Sequence, residues 1–255
     1  MTTQSIEDRI RRLLAIAEDC AASPSEREIA LERASILMAR HSIASLSEPA
    51  TRTENVETRV IIIPGGRTTA SLAHAYGIHA IALANGCSTY YTDRRTWTRH
   101  HGGPHILVHL VGFPSDLDWL TPLTTAVIAY ATTGWTQWCR DNPRRYKPMK
   151  PETRQKVRNG YIQSFASGVA RQIHNTRQET IVEADKTSGH ATALIVRDRA
   201  GKVKDFITSL NLGDGQELDT DERARAAGFK AGYTSGLGNR RTRIAGSPSS
   251  KRITS

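Results

Sequence analysis

The stretch His105–Cys139 reads HILVHLVGFPSDLDWLTPLTTAVIAYATTGWTQWC, and its reading decides the fold. His105 to Val111 is a short apolar run with β-branched residues and a glycine stop, the pattern of a buried strand. A long amphipathic helix is then expected from Ser115. Ser115 and Asp118 stand at capping-box spacing, and Asp116 and Asp118 favour the positive end of the helix dipole. Leu120, Leu123, Val127, Ile128, Ala131, Trp135 and Trp138 follow at helical spacing. Pro122 is dissonant: it leaves the Asp118 carbonyl without its helical donor. That predicts a kink, or a restart with Thr121 as cap and Pro122 at the first helical position. One side of such a helix must be buried against a sheet.

Upstream, Val56–Ile63 reads as a strand ending at Pro64-Gly65-Gly66. Those glycines lack the GxxxxGK[ST] pattern, so they read as a turn and not as a phosphate loop. Ser71–Asn85 reads as a helix ended by Gly86, and Cys87–Thr92 as an alternating strand. Asp93–Pro104 is a charged loop or the tip of a long hairpin. Downstream, a helix is expected from about Pro151 to Gln178, with Val157, Tyr161, Phe165, Val169 and Ile173 on one face. Ala191–Val196 and Lys202–Leu212 are too short for periodicity to settle. A last helix begins near Asp219, with Glu222 at the box position, and places Gly228, Gly232 and Gly236 on one face. Each glycine lowers helix stability by up to about 1 kcal/mol against alanine, so close helix packing is the expected compensation. The expected fold is α+β: an N-terminal helical hairpin plus a small β-sheet, with a β-α-β-β-α core covered by long helices. The expected divisions are a hairpin domain at 5–45, a polar linker, an α+β domain at 56–245 and a disordered basic tail at 246–255.

In the hairpin, Ser5 with Asp8 and Ser23 with Glu26 read as capping boxes, and Pro24 suits the first helical position. Ile6, Ile10, Leu13, Leu14 and Ala17 form one stripe, and Ala30, Ala34, Leu37, Met38 and His41 the other. So short a turn predicts antiparallel packing, and His41 suits a helix C-terminus. The pattern RIRRLLAIAE, a short turn, then ERASILMARHSI resembles a family of helical-hairpin domains of unknown function from actinobacteria and their phages. Ile10, Leu13, Leu14, Ala17, Ala34, Leu37, Met38, His41 and Ile43 carry it, and the Leu-Met-x-Arg-His-x-Ile ending is its specific part. In that family the hairpin usually precedes a second conserved domain, also of unknown function. Val111-Gly112, Phe165, Gly168, Gly228 and Gly232 resemble that domain. The resemblance implies an architecture and a phage or actinobacterial origin. It implies no activity.

The net charge of +10 favours a polyanion partner, nucleic acid first. Residues 140–158 hold eight basic residues against Asp141 and Glu152. Two basic-aromatic sets are candidate nucleic-acid contacts. Tyr90, Tyr91, Arg94, Arg95, Trp97, Arg99, His100 and His101 cluster on one hairpin at 90–101; Arg140, Arg144, Arg145, Tyr146, Lys147 and Lys150 form the second set. Flat aromatic faces stack bases while guanidinium and ammonium groups hold phosphates. For 141–151 a solvated loop between helices is the competing reading. His100, His101, His105 and His109, with Cys139, are zinc-ligand types, but their spacing assembles no closed set. HExxH, HxE with PCxxC, and GxSxG are all missing. No catalytic residue, metal or cofactor is therefore expected. Cys20, Cys87 and Cys139 form no CxxC pair, which favours a reducing cytosol. No apolar run approaches the roughly 20 residues of a membrane span, and the N-terminus lacks a signal-peptide stretch. The expected function is a phage-type accessory protein that binds nucleic acid without catalysis in the host cytoplasm. The alternatives are a protein-interaction or virion-associated module, docking a partner or a second copy through its hairpin, and a metal-dependent hydrolase acting on nucleic acid.

Overall fold

The computed structural model of the chain describes residues 3–19, 21–23, 26–27, 29–30, 33–34, 36–38, 54–94, 104–188 and 191–235. His41, the polar linker through residue 53, Pro24, Gly236 and the tail lie outside them. The fold is α+β, with one three-stranded antiparallel sheet in the order β1-β3-β2. The strands are β1 (Glu57–Pro64), β2 (Ser88–Arg94) and β3 (His105–Gly112). β3 is central, which explains its apolar run. Ile106, Val108 and Leu110 face the helices, and Ile61 and Tyr91 lie opposite Val108 in the register. The Gly65-Gly66 turn is confirmed as a turn, with both glycines at positive φ.

α2 (Thr69–Ala84) connects β1 to β2, and α3 (Pro114–Asp141) leaves β3. α1 (Thr3–Glu18) and the described helical residues of 26–38 form the hairpin, and α1 packs on α3. Ile10, Leu14, Ala34 and Met38 are buried and continue the main core. The Ser23–Glu26 box forms in full. Glu26 N–H donates to Ser23 Oγ at 3.3 Å, and Ser23 N–H donates to Glu26 Oε2 at 2.9 Å. The long helix α5 (Pro151–Ser188) runs well beyond Gln178 and packs on α2. Its later turns bury polar residues, Gln172, Thr176 and Arg177, which hide the apolar stripe from a sequence reading. The two undecided segments join as one helix, α6 (Ala191–Ser209), with residues 210–212 beyond its end. Val203 of α6 packs with Val111 and Phe113 at one end of the opposite sheet face.

α7 (Glu222–Thr234) lies on α5 at backbone contact. A Cβ on Gly228 would run into the Tyr161 carbonyl, and one on Gly232 into that of Phe165. Gly168 of α5 answers them, since its Cβ would meet the Phe229 carbonyl. The close packing expected of the glycine face is present for both described glycines of α7.

Three expected caps are corrected. α3 starts at Pro114, with Phe113 as a cap that makes no side-chain bond. Ser115 instead donates to Glu54 Oε2 at 2.7 Å and accepts from Arg199 Nη2 at 2.9 Å. Arg199 also reaches Glu54 at 3.0 Å and Asp116 at 2.8 Å. Hydrogen bonds to charged groups are about twice as strong as neutral ones, so the guanidinium network outcompetes a capping box. Ser5 lies inside α1, which starts at Thr3. The cap of α7 is Asp221, accepting from Ala224 N–H at 2.8 Å, while Asp219 pairs with Lys156. α3 continues through Pro122 with no restart; Thr121 is interior and bonds the Leu117 carbonyl at 3.1 Å.

Candidate nucleic-acid interface

The second basic set sits at a corner between two long helices. α3 ends at Asp141, the short α4 (Pro143–Tyr146) follows, and α5 begins at Pro151. Prolines open both α4 and α5, where their missing N–H is tolerated. An aromatic layer underlies the corner. Trp135 is buried and stacks on Trp138 at 5.2 Å between ring centroids. Tyr146 meets Trp135 edge-on at 5.7 Å, and Tyr161 of α5 lies at the same distance. The stretch 141–151 is thus a folded corner and not a solvated loop.

Its cations divide into two groups. Arg145 lies 5.8 Å from the Trp138 ring and 3.6 Å from Asp221. Arg154 lies 5.0 Å from the Tyr146 ring and donates to the Lys147 carbonyl at 2.6 Å. Such cation–π contacts hold a guanidinium flat against its ring. Arg140, Arg144, Lys147 and Lys150 are exposed, and none pairs with an acid among the described residues. Arg140, which the sequence reading places in the second set, stands on the last turn of α3.

The corner therefore brings Arg144, Arg145, Lys147 and Lys150 together. Tyr91 is not among them. It stands on the helix side of β2 and lines a cavity with Tyr76, His79 and Asp214, none of which belongs to the corner. Arg94 closes β2 opposite His105. The Arg94 side chain, with Arg95, Trp97 and Arg99, lies outside the described residues.

Residues 5–45 match DUF2786, a protein family of unknown function. No curated protein and no solved structure matches the chain. The match falls on the hairpin whose resemblance rests on the Leu-Met-x-Arg-His-x-Ile ending. The DUF2786 hairpin buries Ile10, Leu14 and Ala34 against the rest of the chain and leaves Ile16 and Ile29 exposed.

Among the described residues no three His, Cys, Asp or Glu side chains group as metal ligands. His109 stacks on Tyr90 at 4.3 Å and shares a hydrogen bond with Thr92 at 2.9 Å. Cys87 is buried, and its thiol is pushed up to about 12, chiefly by that burial. Burial also raises the Cys139 thiol. Neither is a ready thiolate nucleophile. No helix among the described residues is long and apolar enough to cross a membrane.

Proposed function

We propose that this protein is a phage-type accessory protein that binds nucleic acid through its α3–α4–α5 corner, without catalysis, in the host cytoplasm. The observation that carries this reading is the exposed group Arg140, Arg144, Lys147 and Lys150 on a stacked aromatic layer, with no acid paired to any of them among the described residues. Resemblance of the hairpin to phage and actinobacterial sequences supports the origin. Phosphate contacts carry no sequence information, so binding is expected to be sequence-indifferent.

Salt tests it. Each phosphate neutralised contributes about −0.7 to −0.9 to the slope of log K against log salt. Four exposed cations set a slope of about −3 to −4 for the corner alone. Fluorescence titration starting near about 50 mM salt reads it. The triple variant Arg144→Ala, Arg145→Ala, Lys147→Ala removes two of the four exposed cations, so it should weaken binding to all sequences alike and flatten the slope by about 1.5 to 2. Absence of binding to both single and double strands at low salt refutes the reading. A second reading then takes its place, because Ile16 and Ile29 stand exposed on the DUF2786 hairpin at 44% and 45%. Such residues suit a protein partner or a second copy, and light scattering of the purified chain tests the latter.

A further inference from the structure

Away from the corner, a cavity of about 510 Å³ opens between α2, β2 and the segment 212–215. Its volume lies in the range of small-molecule sites. Its floor is apolar, made by the buried Ala75 and Val108, and Leu212 faces it from the exposed segment. Tyr76 and Tyr91 wall it. The Tyr76 hydroxyl donates to the Gln216 carbonyl, which ties the 212–216 segment down beside the cavity. His79 shares a hydrogen bond with Thr89 through Nδ1 at 2.9 Å. Burial lowers its pKa, so the ring is neutral at pH 7.

The half-buried Asp93 also lines the cavity, as do Arg67 and Asp214, which are both exposed. Neither Arg67 nor Asp214 has an ion-pair partner among the described residues. Arg67 follows the Gly65-Gly66 turn, and its charge is felt at the Tyr76 hydroxyl. Asp214 approaches on the 212–215 segment. Two aromatic walls, a neutral imidazole, one guanidinium and two carboxylates, Asp93 and Asp214, converge on one apolar floor. A gap that only needed closing would require none of these polar groups.

We propose that this cavity binds a ligand joining a flat, amine-bearing aromatic ring to an anion, the chemistry of an aminopurine nucleotide. The ring lies against Tyr76 and Tyr91, since every base presents a π-face to an aromatic wall. The exocyclic amine donates to Asp214, the phosphate pairs with Arg67, and His79 offers one donor or acceptor to the ring edge. The charges act as a filter. A bare anion meets the two carboxylates and a bare cation meets Arg67, so a ligand carrying both features satisfies the site best. A free nucleotide and the terminal nucleotide of a strand share this chemistry.

Calorimetric titration of the full chain tests it with three probes. AMP carries the complete set, adenosine lacks the phosphate, and purine riboside 5′-monophosphate lacks the amine. AMP should bind with Kd below about 1 mM, and each deletion should weaken binding about tenfold. Arg67→Ala should weaken AMP about tenfold and leave adenosine unchanged. Asp214→Asn should erase the advantage of AMP over the purine riboside nucleotide. Both side chains are exposed, so both variants should keep the fold, which a thermal melt checks. Failure of the folded protein to bind AMP overturns the proposal, as does AMP binding that ignores both substitutions. The triple corner variant separates the two sites: it should leave AMP binding intact, and loss of AMP binding there also overturns the proposal. A 5′-phosphorylated oligo-dA identifies the source. Oligo-dA binding weakened by Arg67→Ala marks a strand end; binding that Arg67→Ala leaves unchanged marks a free nucleotide.

Discussion

Replacing Gly232 by alanine tests the packing of α7 on α5. The added Cβ would run into the Phe165 carbonyl oxygen, with the Phe165 carbonyl carbon 2.8 Å away. Both are backbone atoms of a long helix, so no side-chain rotation relieves the clash. α7 must move away and open gaps along its contact with α5. Overpacking of this kind costs about 1–3 kcal/mol, and a backbone-to-backbone clash belongs at the upper end. The gain in helix propensity from Gly to Ala offsets about 1 kcal/mol. The net loss is about 2 kcal/mol. For a chain of 255 residues that corresponds to a fall in Tm of about 4–8 °C. Gly201 is the internal control. It also lies within a helix, α6, yet a Cβ there would meet nothing within 4 Å. Gly201→Ala should gain up to about 1 kcal/mol and raise Tm by about 2–4 °C. Calorimetric or circular-dichroism melts of both variants decide it. If Gly232→Ala melts at or above the parent protein, the contact is not as close as described and the argument fails.

Three other substitutions probe the polar framework. Arg199→Met removes the guanidinium that joins Glu54, Ser115 and the nearly buried Asp116, and should cost about 3 kcal/mol in urea unfolding; a loss below about 1 kcal/mol would show that the network is not structural. The Ser23 hydroxyl bond holds the Glu26 carboxyl below its ordinary value, so Ser23→Ala should raise that pKa in an NMR titration, and an unchanged titration would contradict the box. Burial depresses His74 and His79, so the unfolded chain binds protons that the folded one resists. Their contribution to stability is present above an unfolded pKa of about 6.5 and is lost as pH falls through it toward the folded values. Melts from pH 7.5 down to about 5 should show this decline, and His79→Gln should flatten it; a parallel curve for the variant would refute the assignment.

Elements were legible wherever one residue pattern had one physical cause. The β3 run is apolar on both faces because its strand is central, and the glycines of α7 share a face because that face touches backbone. The Ser23–Glu26 box formed, and among the described residues no charged group bonds to Ser23 besides Glu26 itself. At Ser115 the same local signal failed. Arg199 and Glu54 are remote in sequence, and nothing near Ser115 announces that a guanidinium will arrive there. α6 was illegible for a related reason: it packs Val203 against one end of the sheet while Leu194 stays exposed, so its stripe is broken. The corner cations could be read from composition, but not their division. Arg145 and Arg154 became stacking groups because tryptophan and tyrosine rings from α3 and α4 lie beneath them.

The segment joining α6 to α7 connects the candidate interface with the cavity. At one end the Gln216 carbonyl accepts from Tyr76 beside the cavity. At the other, Asp219 pairs with Lys156 and Asp221 lies 3.6 Å from Arg145. Asp221 is also the cap of α7, whose glycines fix that helix on α5. The backbone contact thus sets where both acids stand, and the acids set where Lys156 and Arg145 point. It follows that the +6 formal charge of residues 140–158 overstates what a polyanion meets, because part of it is neutralised from within. What remains exposed, Arg140, Arg144, Lys147 and Lys150, is few in number and carried by a corner packed on an aromatic layer. That layer fixes the backbone from which they project, so on the proposed reading their spacing is set before a phosphate arrives, and that preorganisation, more than their count, is what the corner would offer a polyanion.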